Sequence, residues 1–212
     1  MAAATSTSRD RTEVVATVLL AIAAVATAWS SYQAARWNGE QAKTASRVNA
    51  IRVEAARAQG LAEAQTEVDV ATFIAWVEAE VADDSELTDF YEARFRDEFK
   101  PAFEAWLATE PITTPGAPPT PFAMDEYQLD AAQQSEDLDA DAERLAAQVR
   151  RNILRSTNYV LGVVLFAVVL FFAGMSTKLQ ARGPRIAMLT IGTIVLVGAA
   201  IRIATFPISL AG

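Results

Sequence analysis

The chain has 212 residues, 52% of them hydrophobic, a net charge of −8, and neither cysteine nor histidine. Disulfides, thiolate zinc sites, Ser-His-Asp triads and haem or copper ligation by those residues are therefore excluded. The charge is uneven: residues 36–155 hold 12 Lys+Arg and 24 Asp+Glu, net −12, while the remainder carries net +4. An acidic middle lacks the basic footprint that nucleic-acid binding needs, so no nucleic acid is expected among the partners.

Three stretches are free of charge, 14–35, 156–177 and 186–201. Each is close to the roughly 20 residues that a helix needs to cross a hydrocarbon core of ~30 Å. The expected fold is an all-α membrane protein with three transmembrane helices. A polar tail (1–13) leads into span one (14–32). An acidic extramembrane domain (33–158) follows, then span two (159–177), a basic loop (178–185), span three (186–206) and a tail (207–212).

Trp29, Tyr32, Trp37 and Tyr159 stand at span ends, where amphipathic rings anchor a helix at the water–lipid boundary. For Trp37, helix packing is an equal reading. Arg9 and Arg11, the apolar run and Ala-x-Ala at 24–26 or 26–28 also resemble a secretory signal. The apolar run continues through Trp29 and Tyr32, which favours an uncleaved anchor. Lysine and arginine resist translocation when they lie in short loops. Arg9 and Arg11, with Lys178, Arg182 and Arg185, place the amino terminus and the 178–185 loop in the cytoplasm and the 33–158 domain outside. Arg36, Lys43, Arg47, Arg150, Arg151 and Arg155 flank the acidic domain and argue the other way. Long inserts cross regardless of charge, so the short loops weigh more.

Within the acidic domain, 33–82 reads as one long helix continuing span one. Val48, Ile51, Ala55, Ala58, Ala62 and Gln65 recur at steps of three and four, an apolar seam of small residues. Asp84 or Ser85 caps the next helix, with Glu86 in its first turn. That helix, 85–109, carries Tyr91, Phe95, Phe99 and Phe103 at steps of four, with Trp106 nearby. These rings form the core of a small helical head or, alternatively, an exposed docking face. Pro101 should kink or restart the helix after Lys100. Five prolines between 111 and 121 mark a turn or a semi-rigid linker over 110–122. A return helix, 124–158, carries Leu138, Ala142, Leu145, Val149 and Ile153. Two seams joined by a head predict a long antiparallel helical hairpin, a coiled-coil-like stalk. The acidic run 136–143 reads as a solvated face, and no metal or other cofactor is expected.

Spans one and two contain no ionisable residue, and span three contains Arg202 near its end. Arg202 either reaches the interface along its own stem or lines an oligomeric pore. Ala24 with Ala28, Ala200 with Ala204, and Gly162, Gly174, Gly192 and Gly198 allow close contact between transmembrane helices. The expected partners are the lipid bilayer, further copies of the chain and other membrane proteins.

The blocks AWSSYQAARWNGEQA (28–42), FRDEFKPAFEAWLAT (95–109) and NYVLGVVLFAVVLFFAGMSTKL (158–179) resemble a group of small bacterial three-span membrane proteins of unknown function. The resemblance implies a bacterial, high-GC, actinobacterial-type source and the same topology, hence the inner membrane. It supplies no catalytic residues. Glu78, Glu80, Asp83 and Asp84 have no spacing that fixes a pair around a pocket, so an enzyme is not expected. The leading expectation is an oligomeric scaffold or accessory subunit that uses its helical domain for contacts. A pore lined by the spans comes next, then a membrane-anchored sensor that signals through a partner.

Overall fold

The computed structural model describes residues 3–209, with side chains from Arg11 onward. The expectations resting on the Arg9 side chain and on residues 210–212 lie outside the described residues. The chain is all-α, with five α-helices and no strand among the described residues: α1 (Ala3–Val81), α2 (Ser85–Glu92), α3 (Lys100–Leu107), α4 (Asp130–Lys178) and α5 (Arg182–Ala204). Helices α1, α4 and α5 are long and apolar enough to cross a membrane. Helix α1 begins well before residue 14 and runs through Gly39 and Gly60 without interruption. Only residues 179–181 separate α4 from α5, so the expected basic loop is largely helical.

The chain divides into two compact units, 1–46 with 145–212, and 47–144. In the first, α1 contributes Ala16, Leu19 and Ala23, α4 contributes Phe166, Val169 and Ala173, and α5 contributes Leu189, Leu196 and Ala199 to one apolar cluster. Each triad follows steps of three and four, with Gly192 filling the gap in α5, so a single stripe of each helix turns inward. A second layer packs Ala34, Trp37 and Tyr159 with Ile203 and Phe206. Two glycines work in this packing. A Cβ at Gly162 would stand 2.6 Å from the Ile203 Cδ1, and one at Gly192 would touch the Phe172 Cβ at 3.5 Å.

The second unit is held by rings. Phe73 and Trp76 of α1 pack with Phe95, Phe99, Phe103 and Trp106. Edge-to-face pairs dominate, with Trp76 to Phe103 at 4.9 Å and Phe73 to Trp106 at 5.3 Å, the arrangement that ring quadrupoles favour. The expected 85–109 helix is two eight-residue helices. Asp84 caps α2, its carboxylate accepting from the Leu87 N–H at 3.1 Å. The chain then turns over 93–99 and α3 restarts with Pro101 in its first turn, the helical position where a missing N–H costs nothing. That turn lets rings that one straight helix would line up close around Phe73 and Trp76.

The proline-rich segment is a packed turn. The Trp106 indole N–H donates to the Pro118 carbonyl at 2.9 Å, and Phe122 stacks on Phe99 at 5.3 Å. The return helix starts at Asp130, later than the expected 124, because residues 124–129 fold into turns that bring Tyr127 against Phe122 and Phe99. Beyond them, α1 and α4 pair through small residues. The Ser135 hydroxyl donates to the Ala55 carbonyl at 3.1 Å, and Arg52 meets Glu143 at 3.5 Å.

Candidate functional site

Continuing the α1 seam past Ala62 by steps of three and four leads to Gln65, Asp69, Phe73 and Trp76. Asp69 is therefore a carboxylate on an apolar stripe, and it is fully buried. A buried charge must be paired or neutralised. The Arg96 guanidinium donates to the Asp69 Oδ2 at 2.9 Å, and the Tyr127 hydroxyl donates to the same oxygen at 3.2 Å. The Tyr127 hydroxyl also lies 3.3 Å from that of Thr66. Arg96 is paired a second time with Glu98, whose other oxygen accepts the Asp130 N–H at the start of α4 at 3.2 Å. The 93–99 turn is thereby tied to α1 and to the α4 amino terminus.

The Asp69 Oδ1 is buried and has no hydrogen-bond partner among the described residues. Burial pushes the Asp69 carboxyl above the usual carboxylate range; Arg96 and the two hydrogen bonds pull it down without cancelling this. Burial likewise raises the Tyr127 phenol, and the Asp69 carboxylate adds to it. Beside this network runs an open groove of about 600 Å³, whose walls include Gln59, Glu63, Thr66, Glu67 and Tyr127. Glu63 and Glu67 are its two carboxylates, while Asp69 itself has no access to solvent. Glu78, Glu80, Asp83 and Asp84 are all exposed, and no three carboxylates converge on one point among the described residues.

The other unit has its own buried polar layer. Gln33 is fully buried; its side-chain oxygen accepts the Ser209 N–H at 3.0 Å and its amide donates to the Ser209 carbonyl at 3.5 Å. Ser156 donates to the Ala34 carbonyl at 3.1 Å and Tyr159 to the Pro207 carbonyl at 3.2 Å. Gln33 and Tyr159 hold residues 207–209 against α1 and α4, and Ser156 ties α4 to α1. The Arg155 guanidinium sits 4.5 Å from the Trp37 ring centre.

These placements revise several expectations. Trp29 and Tyr32 face outward, with ring centres 6.0 Å apart, as interface anchors would. Trp37 and Tyr159 do not: they are 8% and 1% exposed, because the register that turns Ala23 inward carries on to residues 30, 33 and 37. Phe95, Phe99, Phe103 and Trp106 are core, with Tyr91 partly buried at its edge, so they form no docking face. On α4, Asn152 takes the inward position expected of Ile153, which is 41% exposed. Gly162 and Gly192 pack within the chain, and Gly174 is half-buried. Ala24, Ala28, Gly198, Ala200 and Ala204 lie on outward faces. Arg202 is also exposed, its guanidinium 5.7 Å from the Phe206 ring centre.

Sequence reasoning stopped one step short of Asp69 and passed over Gln33. The spacing of each seam pointed to both, while their polarity hid them. Comparison of the chain with protein-family models, curated proteins and solved structures finds no match.

Proposed function

We propose that this chain is a multi-pass protein of the bacterial inner membrane that works by contact, as a self-associating scaffold or accessory subunit and not as an enzyme. The observation that carries this reading is an unpartnered apolar face on α1 in the 47–144 unit. Leu61 and Val68 are 53% and 52% exposed, with Ala64 and Ala71 exposed along the same face, and exposed Arg57 ends this face one turn before Leu61. At about 100° per residue they fall within about 80° of one another around the helix. Charged residues flank this segment, which lies beyond the apolar stretch of α1, so water and not lipid is the alternative to a protein partner. Contiguous exposed apolar surface of this kind marks an association site. A second copy side by side in the same membrane fits best, since Ala64 and Ala71 let two such helices approach closely. On this reading the amino terminus is cytoplasmic and the acidic domain extracytoplasmic.

The absence of cysteine makes the test direct. Val68→Cys in full-length protein in membranes should give an oxidative dimer, and Glu63→Cys, on a different face, should not. Light scattering in mild detergent should show more than one copy. A monomer that gives no Val68→Cys dimer and retains no partner would end the proposal.

A further inference from the structure

We infer that a groove between α1 and α5 is a binding site for an anionic phospholipid, one acyl chain lying in the groove and the phosphate held by arginines at its end. The groove measures about 370 Å³, and its walls include Val15 of α1 and Ile186, Leu189, Thr190 and Thr193 of α5, with Arg11 at one end. The two α5 threonines do not make it polar. Thr190 donates its hydroxyl to the Ile186 carbonyl at 3.0 Å and Thr193 to the Leu189 carbonyl at 2.8 Å, so both polar atoms are taken by the helix itself. From Ile186 to Thr193 the wall runs for about 10 Å along α5 at 1.5 Å per residue, enough for the upper part of an acyl chain.

The chemistry at the Arg11 end selects the headgroup. Arg182 precedes Ile186 by one helical turn and so continues the same face of α5 beyond the groove. Helix α5 starts there with no side-chain cap, and Pro184 in its first turn has no N–H. The Arg182 and Gly183 N–H groups and the positive end of the helix dipole therefore favour an anion at this end. Arg185 is 8% exposed, and its Nε is buried without a hydrogen-bond partner among the described residues. It holds positive charge inside the same end of the helix. Of the acids next to Arg11 in sequence, the Asp10 side chain lies outside the described residues and Glu13 lies about 200° around α1, on another face. An apolar slot closed at one end by arginines matches a phosphodiester joined to a hydrocarbon chain, the pattern of basic lipid-headgroup sites between transmembrane helices. A zwitterionic lipid would bring its own cation to the same arginines, and a free phosphate would leave the slot unfilled.

The test uses the delipidated full-length protein in mild detergent, with phosphatidylglycerol, phosphatidylcholine of the same chains, and glycerol phosphate as probes. Phosphatidylglycerol should be retained in native mass spectra and raise Tm, phosphatidylcholine should do so more weakly, and glycerol phosphate should do neither. The double variant Arg11→Gln/Arg182→Gln changes two exposed side chains and should cut the preference for phosphatidylglycerol about thirtyfold. Thr193→Trp, which fills the slot and leaves the arginines, should weaken both lipids. Equal retention of the two lipids, a preference that survives the double variant, or glycerol phosphate as effective as the lipid would each overturn the assignment.

Discussion

The two units bury their cores with different proportions of rings and small residues on the same helical spacing. In the 1–46 and 145–212 unit most inward positions are small or aliphatic, with Ala16, Ala23, Ala173 and Ala199 at or below 2% exposure, and Phe166, Trp37 and Tyr159 are its buried rings. In the 47–144 unit six rings and a buried ion pair form the core, beside an α1–α4 seam of small residues. The surroundings explain the difference. Helices apolar enough for lipid gain little by hiding apolar surface from it, so they associate through close backbone approach and a few internal hydrogen bonds. A small helical domain in water needs a large apolar area removed from solvent, and aromatic side chains supply the most per residue. The steps of three and four give the inward direction in both, and the cluster of six rings is what sets the 47–144 unit apart.

Truncating a ring should expose this contrast most strongly. Phe103→Ala removes a side chain that is 1% exposed and touches Trp76, Phe95 and Trp106. A loss of about 3–5 kcal/mol is expected, read as a shift in the urea midpoint followed by tryptophan fluorescence. In the other unit the weak point is overpacking. Gly162→Leu must displace Ile203 and should cost about 1–3 kcal/mol, seen as a lower Tm in detergent. Gly198→Leu, with open space around its Cβ, should leave Tm unchanged. A loss at Gly198 as large as at Gly162 would show that the outward face of α5 is covered in the assembled protein.

The smallest expected effect concerns Asp69. Its carboxyl pKa lies above the ordinary 3.8 because burial outweighs the pull of Arg96. Between 3.8 and the folded value the folded chain therefore holds the Asp69 proton more fully than the unfolded chain does. The stability this contributes is fully present below 3.8 and is lost as pH rises through the folded value. Asp69→Asn removes the titration but keeps a hydrogen-bond acceptor for Arg96 and Tyr127. The stability of the parent relative to this variant should fall as pH rises from below 3.8 to neutral, measured by urea unfolding at each pH. A relative stability that rises with pH would mean that the ion pair, not burial, governs the site.

The sequence by itself determined the three apolar helices, the all-α class, a helix start at Asp84 or Ser85, a break in the aromatic helix at Pro101 and the inward stripe of each long helix from Val48 to Ala62 and from Leu138 to Val149. These follow from local geometry and from a run of like residues, which periodicity reports directly. Tertiary structure alone decided that Asp69 belongs in the core, because its partners Arg96 and Tyr127 lie 27 and 58 residues away along the chain. It also decided that Gln33 holds Ser209, 176 residues away, and that Trp37 and Tyr159 pack inside. A polar or amphipathic side chain carries no preference for the interior on its own. It becomes a core residue only where the fold brings a matching donor or acceptor to it, and that pairing is not written in any local window.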